Sequence, residues 1–329
     1  MTNKNILVTA TTFPRYKNDN QPSFVKNLSE ELAKKGLNVN VLVPHSYGLN
    51  YYEILNNLKI HRFIYFPKKL QKLAYGGLLP NIKKNKFLIL QAPFLFLFQL
   101  LSMIKLVKKY NIGLIHSHWL LPQGLSGSIV KKIFNLKHIL TIHGADLFVL
   151  LKIPFGKYLI KFIIKNTDHI TCVNNEIKNK IISFFGLDYD NKISVISMGV
   201  NTNDFKNKFK FNNKILCLGR LTDKKGVKYL LEAIKLLKYK SIKVLIAGDG
   251  PLRKDLEDYV KINKLQNKVK FFGYVYGKEK INLIKSSGIF VLPSIVTKYG
   301  DREGLPVSLL EAMAASKLII ATSVGGIKE

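Results

Sequence analysis

Short, continuous apolar runs alternate with helix-period patterns along almost the whole chain, and this alternation constrains the fold more than any other feature. The run "NILVTA" leads to a helical pattern from Pro22 to Lys35, where Phe24, Val25, Leu28 and Leu32 make one apolar face. Gly36 ends it, and "VNVLVP" is the next strand. Later strands read "GLIHSH", "HILTIH", "HITCVN" and "ISVIS". A second series begins at "KILCLG" and continues through "KVLIAG", "VKFFGY", "IFVLP" and "LIIAT". Strands that stay apolar at consecutive positions are covered on both faces, and the helix after each supplies the crossover that parallel pairing needs. The expected fold class is therefore α/β, a doubly wound parallel sheet that occurs twice.

A chain of 329 residues is long for one core, so two domains are expected. The polar, aperiodic stretch "MGVNTNDFKNKFKFNN" (Met198 to Asn213) marks the join and places the domains at 1–205 and 210–329. "LIIATSVGGIKE" supplies one strand and the opening of a turn before the chain stops, so the second domain is expected to lack its last elements.

The net charge of +31 invites a nucleic-acid reading, yet only five of the 52 basic residues are arginine (Arg15, Arg62, Arg220, Arg253, Arg302). Nucleic-acid readers lean on arginine, and no recognised nucleic-acid motif is present, so no nucleic-acid partner is expected. The positive field should instead draw the protein toward anionic lipid, nucleotide or polyanion. Cys172 and Cys217 are lone cysteines in strand-like runs, which implies a reducing compartment without a disulfide framework. The first apolar run is too short for a signal peptide, so a cytoplasmic location is expected. The segment "FLILQAPFLFLFQLLSMIKLV" (Phe87 to Val107) is interrupted by Gln91, Pro93, Gln99, Ser102 and Lys105. It reads as a buried or interfacial helix rather than a span, with lysine flanks that suit the inner face of a membrane.

Ligands of open α/β sheets sit beyond the carboxyl ends of the strands, where helix N-termini face anions. Four such ends in the second half carry chemistry. "KILCLG" runs into "GRLTDKKG" with Arg220 and Lys225, and "KVLIAG" runs into "GDGPL". "VKFFGYV" ends at Val275 and Tyr276, and "IFVLPS" leads to "TKYGDREGLPVSLLEAMAAS". That last stretch holds Glu303 and Glu311, eight positions apart, in a chain with only 21 acidic residues. One could cap the helix while the other lies on its wet face, or both could hold one elongated ligand. "GDGPLR" lacks the third glycine of a dinucleotide fingerprint. His116 and His118 share one face of a strand and with His143 suggest zinc, but no spacing supplies a fourth ligand, so no metal is expected.

Together and in this order, "GRLTDKKG", "IAGDGPLRKDLE", "FFGYV" and "EGLPVSLLEAMAA" followed by "GG" resemble the GT-B glycosyltransferases of family 4, the retaining group with a Glu-x7-Glu motif. "FPRY", "IHSHWLLPQG" and "TIHGAD" in the first half agree. The resemblance implies two Rossmann-like domains, an acceptor side and a nucleotide-sugar side. It implies that Arg220 and Lys225 bind the donor diphosphate and that Glu303 contacts the sugar hydroxyls. Backbone amides of Gly304, Leu305, Pro306 and Val307 would face sugar and phosphate, Pro306 standing at the first helical position without an N–H to give. Glu311 would bind ribose, backbone near Val275 and Tyr276 the base, and His143 would lie near the donor sugar and the reacting phosphate. Asp146 is a further candidate there, or a cap for the segment that follows it. The implied reaction moves a sugar from a nucleotide-sugar to a glycan or lipid-linked acceptor with retention and without a metal cofactor. The alternative is a truncated relative that binds nucleotide without turnover. Where many relatives have a Gly-Gly pair after the first strand, this chain has Gln21-Pro22-Ser23, which implies a differently shaped loop.

Overall fold

The computed structural model describes residues 3–16, 19, 21–206, 211–239, 241–298 and 300–329. Residues 207–210 of the polar join and Tyr299 of the glutamate-bearing loop lie outside them. The chain divides into two compact units, Met1–Ile196 and Ser197–Glu329.

The first unit is built on an eight-stranded sheet: β1 Asn5–Thr9, β2 Asn38–Pro44, β3 Tyr52–Leu55, β4 Leu58–Phe63, β5 Leu114–His118, β6 Lys137–Ile142, β7 His169–Cys172 and β8 Ile193–Val195. Their order is β3-β4-β2-β1-β5-β6-β7-β8, and every pair except β3–β4 is parallel. The exception is a hairpin that the sequence pattern does not announce. It turns through Asn56 and Asn57, whose φ values of 49° and 64° suit the right-handed twist of the strands, and Asn tolerates that region better than most residues.

Alternation along β1 shows why both faces of the sheet are covered. Ile6 and Val8 pack with Val25, Val39 and Val41 on one side. Leu7 packs with Leu42, Met103, Leu106 and Ile115 on the other. Met103 and Leu106 come from the helix Ala92–Tyr110, which follows a turn of 3-10 helix, Lys86–Gln91. Pro93 sits in the first turn of that helix, where its missing N–H breaks no internal bond.

The second unit repeats the plan with five strands: β9 Lys214–Leu218, β10 Lys243–Ala247, β11 Val269–Gly273, β12 Ile289–Leu292 and β13 Leu318–Ala321. All pairs are parallel in the order β11-β10-β9-β12-β13. Ile215 and Cys217 face one apolar layer, and Leu216 and Leu218 face the other. The direction of strand progression reverses between β9 and β12, which puts a ligand crevice beyond their carboxyl ends. The expected α/β class holds for both units.

Candidate functional site

In the second unit the segments beyond β9 and β12 are bound together. The 3-10 turn Asp223–Lys225 ends at Gly226, whose φ is +62°. A Cβ on Gly226 would stand 1.9 Å from the Pro293 carbonyl oxygen, so only glycine lets the two strand ends approach this closely. The Ile295 amide donates to the Lys224 carbonyl at 2.8 Å and completes the seam.

The two adjacent lysines then divide the work. Lys224 Nζ donates to Asp301 Oδ1 at 3.2 Å and shapes the loop before the glutamate. Lys225 Nζ lies 3.2 Å from Glu303 Oε1, with both side chains largely buried. That oxygen accepts no aligned hydrogen bond among the described residues, although a buried carboxylate oxygen ordinarily has one. Ser294 Oγ, two residues past β12, is likewise buried without a partner among the described residues. Both atoms stand just beyond β12, at the sheet edge where open α/β sheets bind their ligands. Arg220, two residues past β9, is exposed at the same edge.

Glu303 is held from the far side as well. Gly325 has φ +57°, and a Cβ there would meet the Glu303 carbonyl oxygen at 2.0 Å. The Gly326 amide donates to the Gly304 carbonyl at 2.8 Å. The glycine pair near the end of the sequence thus closes directly on the Glu303-Gly304 turn. Leu305 is half-buried beyond it. The helix that follows is Val307–Ala314, one residue later than expected. Pro306 is its cap rather than its first residue, because its ψ of 116° is still extended as the chain arrives from the loop. The first amides of this helix, starting at Val307, have no partner within the helix itself and carry its positive dipole end.

Glu311 lies within that helix, buried, and receives Lys280 Nζ at 2.5 Å. Lys280 belongs to the helix Gly277–Ser286 after β11. No motif in the sequence singles it out, since a lysine in "GKEKINLIKS" looks like any solvated helix residue. Val275 is buried in the apolar layer below, so its backbone alone is left for a ligand. Tyr276 is exposed and stacks on Tyr274 with ring centroids 6.1 Å apart. The spacing of the two tyrosines carried that signal, and the sequence reading passed over it.

A second polar cluster stands at the strand ends of the first unit. His143 follows β6, and its Nε2 meets His118 Nδ1 of β5 at 3.1 Å. His116 and His118 share a face of β5 as expected, with ring centroids 4.5 Å apart. His116 Nε2 reaches Thr141 Oγ1 at 2.8 Å, which in turn reaches Thr171 Oγ1 at 2.6 Å. Trp119 and Phe24 close over His143 at 4.6 and 5.2 Å. Burial, with His116 adding to it, pushes His143 down to about 3, so its ring is neutral at physiological pH. That 3.1 Å nitrogen-to-nitrogen contact is a hydrogen bond whose donor is set by the tautomers of the two rings.

Asp146 straps this cluster together by accepting from the Leu120 amide at 3.0 Å and the Gly144 amide at 2.9 Å. Burial raises its carboxyl to about 6 against the opposing pull of those amides. The loop that departs from the Gly-Gly pattern is anchored elsewhere: Gln21 Oε1 accepts from the Gly76 amide at 3.3 Å. Residues 17, 18 and 20 of that loop lie outside the described residues.

Residues 22–204 match the family model of Glycosyltransferase Family 4, and residues 200–329 match that of Glycosyl transferases group 1. An uncharacterized glycosyltransferase of Methanocaldococcus jannaschii is 31% identical over 305 residues, which are 93% of this chain and 75% of that protein. The amylovoran biosynthesis glycosyltransferase AmsK of Erwinia amylovora is 28% identical over 217 residues, 63% of this chain and 53% of its own. Among solved structures, sucrose-phosphate synthase of Thermosynechococcus elongatus has a TM-score of 0.75 at 20% identity, over 98% of this chain and 82% of that one.

Proposed function

Because this chain belongs to glycosyltransferase family 4 and carries a glycosyl transferases group 1 domain, with the GT-B arrangement of two α/β units, we propose that it moves a sugar from a nucleotide-sugar donor to a lipid-linked or polysaccharide-precursor acceptor with retention at the anomeric carbon. One observation carries the donor assignment. At the reversal point of the second sheet, a buried Lys225–Glu303 pair leaves a carboxylate oxygen without an aligned donor. A sugar hydroxyl is the group that would satisfy it.

The residues then take distinct roles in the proposed reaction. Lys225 and Arg220 neutralise the diphosphate as it leaves, which is the charge stabilisation a metal would otherwise supply. Glu303 takes sugar hydroxyls, and Glu311, oriented by Lys280, takes ribose hydroxyls. The amides of Gly304, Leu305 and Val307 line the sugar-phosphate path, Pro306 holds the turn, and backbone at Val275 and Tyr276 meets the base. His143 is assigned to the reacting sugar and phosphate by the family resemblance alone. As a neutral ring it donates or accepts a hydrogen bond and adds no charge.

In the step itself the bond from the anomeric carbon to the phosphate oxygen breaks with its electron pair going to the phosphate. The acceptor oxygen bonds to the same face of that carbon, and its proton passes to the departing phosphate. The name of the Erwinia relative places that protein in polysaccharide assembly, which favours an acceptor of this class. The enzyme would act in the cytoplasm at the inner face of the membrane.

A thermal-shift panel of UDP-, GDP- and ADP-sugars tests the donor reading. One nucleotide series should raise the midpoint, since ligand at a hundredfold its Kd stabilises by about 2.7 kcal/mol. No shift with any member would overturn it.

A further inference from the structure

The helix Ala92–Tyr110 is apolar on two opposite sides. Leu95, Gln99, Met103, Leu106 and Val107 are buried against the sheet. A helix packed this way normally turns a polar stripe to water. Here Phe94, Leu97, Phe98 and Leu101, spaced at one helical face, are 40–50% exposed. The preceding turn adds Phe87 at 79%, Ile89 at 51% and Leu90 at 64%. Phe94 and Phe98 also form a wall of an open apolar groove of about 440 Å³, whose other wall is Ile64, Phe66 and Pro67 with Lys68 at its rim.

The segment that carries this apolar ridge has charge of one sign only. Residues 54–145 contain 14 lysines and arginines and no aspartate or glutamate. Lys105 and Lys108 continue the exposed stripe toward the helix C-terminus, and both are exposed. Lys83, Lys84 and Lys86 stand exposed just ahead of the ridge, and Lys68, Lys69 and Lys72 stand on the segment beside it. The Gln91 amide donates to the Leu70 carbonyl at 2.8 Å and ties that segment to the start of the helix.

We infer that this face of the first unit is a docking surface for an anionic lipid bilayer, with the helix lying in the plane of the interface. The inference rests on the membrane-surface part of the reading above and gives it an address. Insertion of aromatic and leucine side chains to the acyl boundary, rimmed by lysines at the headgroups, is the arrangement an interfacial helix uses. Together with the preceding turn, as Lys86–Tyr110, the helix is long and apolar enough to cross a membrane, with mean hydropathy 2.1 over its best window. Crossing would strip Met103, Leu106 and Val107 from the sheet, however, whereas lying flat leaves them in place. A second copy of the chain would press this lysine rim against the same rim, because a two-fold contact is self-complementary in position but not in charge.

The test uses the full chain with vesicles of phosphatidylglycerol and of phosphatidylcholine, read by flotation. Binding to phosphatidylglycerol should be at least about tenfold tighter and should weaken with salt. The double variant Leu97→Glu/Leu101→Glu should lose about tenfold or more, as should Lys83→Glu/Lys84→Glu. All four positions are on the surface, so both variants should keep the wild-type unfolding midpoint and its shift with donor. Wild-type binding by either variant, equal binding to both lipids, or a dimer that Leu97→Glu/Leu101→Glu dissociates without any change in vesicle binding would overturn the inference. Loss of the donor shift with vesicle binding intact would instead remove the transferase reading and leave this one standing.

Discussion

Glu303 and Glu311 differ in what holds them, although the motif presents them as a pair. Glu303 is backed by Lys225 at 3.2 Å and keeps an oxygen without an aligned donor, whereas Glu311 Oε1 accepts from Lys280 Nζ at 2.5 Å. A carboxylate that retains an open acceptor is suited to a ligand that changes during reaction, and one that is held suits a fixed anchor. Motif spacing locates both glutamates but is silent on this difference, because each partner comes from a distant segment. It is also silent on which of Lys224 and Lys225 meets Glu303, a choice made by the turn that ends at Gly226. Arg220 adds an exposed cation at the same edge. Replacing it with alanine should lower kcat by a factor of about 10²–10³, the usual cost of losing one preorganised electrostatic donor. Unchanged turnover in steady-state assays would take Arg220 out of the reaction.

At the scale of elements, every strand except β3 and β4 was legible as an apolar run, while the connections between them were not. The β3–β4 hairpin carries too short an alternation to stand out, and Asn56-Asn57 becomes a turn signal only once both strands are paired. Pro306 was expected one position further into its helix than it stands, since sequence marks a helix start to within a residue or so and ψ decides the rest. The seam between the ends of β9 and β12 depends on Gly226. Gly226→Ala should cost about 1–2 kcal/mol for its left-handed backbone, plus the clash with the Pro293 carbonyl. Gly277→Ala is the control, with φ +52° and nothing within 4 Å of its Cβ. Chemical denaturation should show Gly226→Ala losing clearly more. Equal losses would mean that the close approach contributes nothing.

For the whole molecule, the buried histidines of the first unit set the response to acid. His118 and His138 are fully buried, and burial holds His118 well below the ordinary value of 6.5 and His138 at about 3. Below pH 6.5 the unfolded chain takes up protons that the folded chain refuses. The stability they contribute is therefore complete above 6.5 and is lost as pH falls toward the folded values, by up to about 1.4 kcal/mol per histidine per pH unit. Asp146 acts in the opposite sense, because a carboxyl raised to about 6 binds its proton in the folded state between 3.8 and 6. It is one group against several. The urea midpoint should be lower at pH 5 than at pH 7.5, followed by fluorescence of Trp119, the single tryptophan, which packs on His143. A midpoint that holds steady or rises on acidification would show that these rings are protonated in the folded state.

By itself the sequence determined the two parallel-sheet units, the family and which residues stand beyond the strand ends, because apolar period and strand-end motifs are local properties of the chain. It also carried the lysine excess and the unusual apolarity of the Ala92–Tyr110 helix. Tertiary structure alone decided which lysine meets Glu303, that Lys280 holds Glu311, that His118 and His143 meet within hydrogen-bond distance, and which side of the apolar helix stays exposed to water. Each of these is a contact between residues far apart in the chain, and its geometry exists only once the sheets have set the distances.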